Sequence, residues 1–519
     1  MYNKEFIRKD YKSEQNKERN MKNIRALYDI AEKNKYTIDD ETWNDLEMDY
    51  LFEKMDRTYS SEGEQVLYTI LRNPLVNEEQ IKKRSDLIHG FSYDEELRTK
   101  LRYILFMMKR DKKNIFFEMM DGLLLVNKVK YFVYSILGKV IPVILIVLAI
   151  ALKEPKFMIG LMVSVFINIA INQYERDKIR GTGLLFLRDL LLASKKISRI
   201  KDDKISSYTI EIKNILKKIK KIDRGTVTLK ILTVLGGVLE IFSIPFLIEE
   251  TTYYKISDKI KANEGLIFKL YYLIGELDAL ISIASYKDSN KDKICTPTFI
   301  EEKELYIKEG IVPFIKNPVP NTLYIKKKGI VLTGTNMSGK STFLRMVAIN
   351  VLLAQSFNFC LAKEYKGCFL NLVSSISPKD DINNGKSYYL AEAEGILRII
   401  KALDDNITVF CPIDEIFRGT NPVERISSSA EILKYINERN ALTIVATHDR
   451  ELTEILKEEY DFFYFSEEVK KEEGLKFDYK LKKGVNKNRN AIKLLEYIGY
   501  PKEIVENSFK RSETLDKYI

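Results

Sequence analysis

A chain of 519 residues exceeds one ordinary domain, so two or three folding units are expected, each long enough to bury a core. With 45% hydrophobic and 30% charged residues it is globular and helix-rich, and its net charge of +10 leans toward an anionic partner, nucleic acid or lipid, without choosing between them. Only two histidines argue against a His-built metal site, and Cys295, Cys360, Cys368 and Cys411 form no CxxC pair, which disfavours zinc and disulfide frameworks.

The N-terminus has no apolar core and no small-residue cleavage site, so a cytosolic start without a signal peptide is expected. Residues 1–39, rich in Lys, Arg, Glu and Asn, read as a solvated helical extension. From Asp40 to about Lys130 apolar residues such as Leu46, Tyr50, Leu51 and Met55 recur at helical spacing, which predicts an all-helical region.

Two apolar runs follow, Tyr131 to Leu152 and Phe157 to Ile171, parted by Lys153-Glu154-Pro155-Lys156. The first is long enough to cross a hydrocarbon core of about 30 Å, and the second lies at the lower edge of spanning length. Lys128 and Lys130 precede the pair and Arg176, Lys178 and Arg180 follow it, which puts both flanks on the cytoplasmic side. A transmembrane helical hairpin over 131–173 is the expectation; a buried hairpin in a soluble domain would use the same turn. A third run, Leu229 to Ile248, contains Lys230, Glu240 and Pro245, and a mid-span carboxylate is costly in lipid, so it reads as a buried core helix. Between them, residues 195–224 alternate Ile with Lys at helical spacing and suit anionic lipid, DNA phosphates or a plain solvated face.

After about Lys303 short β-rich runs alternate with helical stretches, which predicts a parallel sheet covered by helices. Gly334 to Ser341 fits GxxxxGK[ST], between the strand Ile330–Thr333 and the helix beginning at Thr342, as a phosphate-binding P-loop requires. Gly334, Thr335, Asn336, Met337, Ser338, Gly339, Lys340, Ser341 and Thr342 are therefore the expected ATP cradle, with Lys340 on the β/γ oxygens and Ser341 on Mg²⁺. The apolar run Ile407–Ile413 ends in Asp414-Glu415, where the first carboxylate would hold Mg²⁺ and the second polarise the attacking water. Ala446-Thr447-His448 ends another run and sets an imidazole at the same sheet edge. Lys340, Glu415 and His448 are the expected catalytic residues of a Mg²⁺-dependent ATP hydrolase.

Thr335-Asn336-Met337-Ser338-Gly339-Lys340-Ser341-Thr342, Asp380-Asp381-Ile382-Asn383-Asn384-Gly385-Lys386-Ser387, Asp414-Glu415-Ile416-Phe417-Arg418-Gly419-Thr420-Asn421 and Ala446-Thr447-His448 closely resemble, in order and spacing, the ATPase domain of the MutS mismatch-repair family. Phe52 to Gly63, Leu71-Arg72-Asn73-Pro74-Leu75 and Arg84-Ser85-Asp86-Leu87 resemble the opening of that family's core domain, and Gly275 to Ala284 its returning lever helix. The resemblance implies an α plus α/β architecture. An N-terminal helical extension (1–39) would precede an all-helical core and lever domain (40–302) carrying the apolar hairpin, and then an ABC-like P-loop ATPase domain with a C-terminal helical dimerisation segment (303–519). It also implies Phe314 as the adenine platform and a homodimer in which Ser387 acts in trans on the partner's γ-phosphate. Double-stranded DNA becomes an expected partner, membrane lipid another through 131–173, and the ATPase is expected in the cytoplasm, anchored with both termini cytosolic.

Departures accompany the likeness. No room precedes Asp40 for the family's mismatch-reading and connector domains, the usual P-loop Pro is Thr335, and one Gly is Ser338. An ABC-type ATPase that moves the hairpin without nucleic acid is the alternative, although no LSGGQ precedes Asp414.

Overall fold

The computed structural model describes residues 4–515 apart from 109, 181, 235–237, 336–337, 377–387, 404–405, 418–419, 471–473 and 486–489. It forms two compact units, each drawn from separate stretches of sequence: Met1–Glu32, Asp56–Thr69 and Asp86–Asp288 in one, and Lys33–Met55, Ile70–Ser85 and Ser289–Ile519 in the other.

Every regular element among the described residues of the first unit is a helix. Its spine is Glu264–Ser289, where Ile267, Leu270, Ile274, Leu277 and Ile281 recur at three and four and are buried. Gly275 lets another backbone in: a Cβ there would stand 2.4 Å from the Glu62 carbonyl oxygen. Nearby the buried Asp278 carboxylate accepts from the Ser60 amide at 2.8 Å and the Ser60 hydroxyl at 2.6 Å, so its desolvation is offset by hydrogen bonds.

The apolar runs form two helical segments, Lys128–Leu152 and Pro155–Arg180, which are long and apolar enough to cross a membrane by length and composition. Lys153, in the left-handed region at φ 52°, turns the chain between them. A π-helical turn at Ile136–Val140 interrupts the first, just where Pro142 cannot donate to the Gly138 carbonyl.

The polarity of the second helix is inverted. Ser164, Asn168, Asn172 and Glu175 are buried, while Met162, Phe166 and Ile167 on the other side are exposed. Glu175 accepts from Lys130 Nζ at 2.6 Å and from the hydroxyls of Tyr134 at 2.9 Å and Tyr254 at 2.7 Å. Asn168 Nδ2 donates to the carbonyls of Leu137 at 3.1 Å and Pro245 at 2.7 Å.

Residues 229–248 differ from the single buried helix expected of them. Helix is described at Lys220–Val234 and at Val238–Ser243, on either side of residues 235–237; after Ser243 the chain leaves the helix, because Pro245 cannot donate into it, and a new helix starts at Ile248. Leu229 and Leu232 are buried as expected, whereas Ile241 and Phe242 are exposed.

The second unit holds a six-stranded sheet. Its strands are β1 (Gly329–Thr333), β2 (Leu370–Leu372), β3 (Thr408–Asp414), β4 (Ala441–Thr447), β5 (Tyr460–Tyr464) and β6 (Lys482–Lys483), ordered β6-β5-β1-β4-β3-β2. All neighbours are parallel except β6 with β5. β1, β3 and β4 are buried along their whole length, as central strands covered on both faces must be. Val331, Val409, Ile413, Val445, Leu433 and Ile436 form the core between the sheet and the helix Pro422–Asn437. A mixed four-stranded sheet is built from Thr298–Phe299, Glu364–Gly367, Leu305–Gly310 and Asn321–Ile325. A mostly helical chain with a helix-covered parallel sheet is the α plus α/β class that the sequence predicts.

Candidate functional site

Parallel strands running the same way bring their carboxyl ends to one edge, and that edge is where the chemistry-bearing residues collect. β1 is followed by Gly334, whose φ of 143° suits glycine alone; a Cβ there would lie 2.9 Å from the Phe465 carbonyl oxygen. Gly339, at φ 108°, starts the buried helix Lys340–Phe357. Lys340 folds back over the loop and donates to the carbonyls of Gly334 at 2.7 Å and Thr335 at 2.9 Å. The hydroxyls of Thr335 and Ser338 are buried in the loop without a hydrogen-bond partner among the described residues.

β3 delivers Asp414 and Glu415. The Asp414 amide donates to the Ser375 carbonyl at 2.8 Å, and its Oδ2 accepts from the Ser341 hydroxyl. Glu415 adopts a left-handed φ of 62°, held by its amide on the Ala446 carbonyl at 2.9 Å. That strained turn aims the carboxylate at the end of β4, where His448 Nε2 lies 2.9 Å from Oε1. The same imidazole nitrogen is 3.5 Å from Lys340 Nζ. Behind it, the Thr447 hydroxyl accepts from the Asp449 amide at 3.0 Å, and Arg425 pairs with the Asp449 carboxylate.

A cavity of about 460 Å³ opens over this edge. Thr335, Ser338, Gly339, Lys340, Ser341, Thr342, Asp414 and Glu415 line it, together with Ile315, Asn317, Val319 and Tyr479. Its volume suits a drug-sized ligand. One end offers backbone amides, an ammonium and unpartnered hydroxyls, a set that fits phosphate; the Ser341 and Asp414 oxygens fit a hard divalent cation. The apolar and aromatic wall fits a heterocycle.

Of the residues singled out from sequence, Gly334 meets Lys340 through its carbonyl and His448 adjoins the cavity through Glu415. Phe314 is half-buried and is not among the lining residues, although its neighbour Ile315 is. Asn336, Met337 and Ser387 lie outside the described residues. Sequence reasoning missed Tyr479 and Asn321, both on the cavity wall, where Asn321 Nδ2 donates to the Tyr479 carbonyl at 2.9 Å. The aromatic pair Phe477 and Tyr479, in an otherwise charged stretch, was the one available signal.

Residues 330–516 match the family model described as MutS domain V, and residues 36–284 match MutS domain III. Among curated proteins, DNA mismatch repair protein MutS of Leptospira interrogans is 29% identical over 376 residues, covering 66% of this chain and 44% of that protein. The protein of the same name from Petrotoga mobilis is 32% identical over 281 residues, covering 50% of this chain and 33% of its own length. That of Fusobacterium nucleatum subsp. nucleatum is 29% identical over 280 residues, 52% of this chain and 31% of its own. The matched region thus spans less than half the length of these relatives.

Proposed function

Because the chain belongs to the MutS family, matched in two of its domains across most of its length, we propose that it is a Mg²⁺-dependent ATPase. In this reading it acts as a homodimer, couples nucleotide turnover to double-stranded DNA, and is anchored in the cell membrane by residues 131–173. Its ATPase unit and both termini face the cytosol. The observation that carries the ATPase reading is convergence: Lys340, the Ser341–Asp414 pair and the Glu415–His448 pair meet at one cavity.

In this mechanism Lys340 exchanges the carbonyls of Gly334 and Thr335 for β- and γ-phosphate oxygens, while loop amides and the helix start surround the same charge. Ser341 and Asp414 hold the metal, which when bound neutralises charge on the phosphates. Glu415 accepts the proton of the attacking water, and His448 holds that carboxylate in place. The nucleotide base rests against Ile315, Val319 and Tyr479; Phe314, next to Ile315 in the chain, is the platform the family resemblance implies, a role that requires its side chain to turn into the cavity. Ser387 of the partner subunit completes the γ-phosphate contacts.

The membrane anchor is supported by the inverted polarity of Pro155–Arg180, with amides and a carboxylate inside and aliphatic and aromatic side chains outside. Most of the apolar residues of the two hairpin segments are exposed, among them Val143, Ile144, Val147 and Ile150 in the first and Met158, Ile159, Met162 and Phe166 in the second. The alternative, an ABC-type machine that moves this hairpin without nucleic acid, parts from the first reading at DNA.

Phosphate release by the purified chain tests the ATPase: Mg²⁺-dependent turnover is expected, lost in Lys340→Ala. Absence of turnover, or turnover indifferent to Lys340, refutes it. Duplex binding that weakens steeply with salt and responds to ATP supports the DNA coupling, and no binding at low salt favours the alternative. Recovery of the native protein in the soluble fraction without detergent removes the anchor.

A further inference from the structure

Asp45 lies outside the cavity, in a short helix, Asp40–Asp45, of the same unit as the sheet. It is 5% exposed, and its bonds lead to both members of the Ser341–Asp414 pair. One oxygen, Oδ2, accepts from the Ser374 hydroxyl at 2.7 Å and from the Ile376 amide at 2.9 Å. Between those two residues, the Ser375 carbonyl accepts the Asp414 amide at 2.8 Å. The carbonyl of Asp45 accepts from Arg345 Nε at 2.7 Å. Arg345 stands four residues beyond Ser341 in the helix Lys340–Phe357, on the same face. One residue therefore touches both the backbone segment that holds Asp414, where Thr42 and Arg398 also bond Ser374, and the helix turn that carries Ser341, where Arg345 also pairs with Glu47 at 3.1 Å, and the Ser341 and Asp414 side chains are bonded to each other.

We propose that Asp45 is a positioning residue for the metal-holding pair, setting the separation of Ser341 and Asp414 from behind the cavity. The inference rests on the ATPase reading. Oxygen ligands of a small divalent cation must meet its geometry closely, so a slack backbone behind Asp414 weakens the ion before it weakens the nucleotide. A purely structural role predicts a different pattern, in which stability falls and metal dependence does not change.

The test measures phosphate release by the full chain across a Mg²⁺ titration, with nucleotide affinity measured separately without metal and stability by urea. Asp45→Ala is expected to raise half-saturating Mg²⁺ by about 10-fold or more, with metal-free nucleotide affinity little changed. Asp45→Asn is expected to restore it, since the two donors share one oxygen that the amide carbonyl can replace. Arg345→Ala cuts the other link, is expected to shift the metal requirement in the same direction, and decides the matter should Asp45→Ala not fold. A wild-type Mg²⁺ requirement in the folded Asp45→Ala or Arg345→Ala variants overturns the proposal, as does a folded Asp45→Asn as impaired as Asp45→Ala. A wild-type chain that releases no phosphate refutes the ATPase reading itself.

Discussion

Glu415→Gln removes one negative charge and leaves side-chain length and hydrogen-bonding shape in place. The backbone at this position is held by the Glu415 amide on the Ala446 carbonyl at 2.9 Å, which the substitution does not touch. His448 keeps a partner in the new amide, and Ser341 and Asp414 keep each other. The fold and the metal-holding pair therefore survive, and nucleotide affinity should stay within about threefold of wild type, since a base acting in the transition state adds little to ground-state binding. Turnover should fall by about 10²–10⁴-fold, the span of a lost general base, or about 3–5 kcal/mol of barrier. His448→Ala should do less, about tenfold, because the imidazole adjoins the cavity through Glu415 and Lys340 and its loss removes orientation rather than the base itself. Single-turnover phosphate release, paired with binding of a fluorescent ATP analogue, separates the two effects. Equal rates for wild type and Glu415→Gln, or a loss lying wholly in affinity, refute the assignment of Glu415 as the base.

Burial pushes the Glu62 carboxyl up from 4.5 to about 8, so the native state holds a proton that the unfolded chain releases. Its stabilising share is complete below the unfolded value and declines as pH rises through about 8, so Glu62→Gln should be neutral near about pH 5 and raise the urea midpoint near about pH 9. Gly275→Ala sets a methyl 2.4 Å from the Glu62 carbonyl oxygen and should cost at least about 2 kcal/mol. Gly265→Ala on the same helix meets nothing within 4 Å and should be neutral or stabilising by about 0.5 kcal/mol; urea denaturation separates the two. Phe166, about 17 Å along the helix from Pro155, would sit near the middle of a bilayer core about 30 Å thick. Each aspartate there costs about 2.5–3.5 kcal/mol, so Met162→Asp with Phe166→Asp should shift the protein toward the soluble fraction, and unchanged fractionation argues against the anchor.

The residues at the sheet edge were legible because each ends a strand and carries a spacing that phosphate and metal chemistry demand: Lys340 after β1, Asp414 and Glu415 after β3, His448 after β4. The place of Tyr479 in the cavity lining was not, because it is held through a contact with Asn321, 158 residues earlier, which no local pattern encodes. Asp45 was hidden for the same reason: its bonds to Ser374 and Ile376 join residues about 330 apart in sequence. Residues 40–55 and 70–85 read as ordinary amphipathic helix, and helical period cannot say which unit their apolar faces will join. The run 229–248 went astray differently. Its composition suggests one helix, with the mid-span carboxylate Glu240 as the argument against lipid, whereas the larger local effect is that Pro245 ends the helix after Ser243.

The hairpin shows how far composition can go. Ser164, Asn168, Asn172 and Glu175 recur at four, four and three, and in a water-soluble helix such a stripe marks the solvent side. Here the sign is reversed: the stripe is buried, Glu175 accepts from one ammonium and two phenols, and Asn168 Nδ2 donates to two carbonyls while its Oδ1 has no partner among the described residues. In the same unit the helix Glu264–Ser289 follows the ordinary rule and buries its apolar stripe, so the reversal in Pro155–Arg180 is not a general feature of the unit's helices. In water the arrangement loses twice. Large apolar side chains left exposed forgo about 1.5–3 kcal/mol each, and inward amides and a carboxylate have exchanged water for protein partners with little net gain. An apolar surrounding solvent reverses both terms, since it favours the exposed Phe166 and Ile167 and makes inward pairing the only outlet for Asn168 and Glu175. The direction in which the polar stripe points, rather than the length of the apolar run, is therefore the stronger physical argument for lipid around residues 131–173.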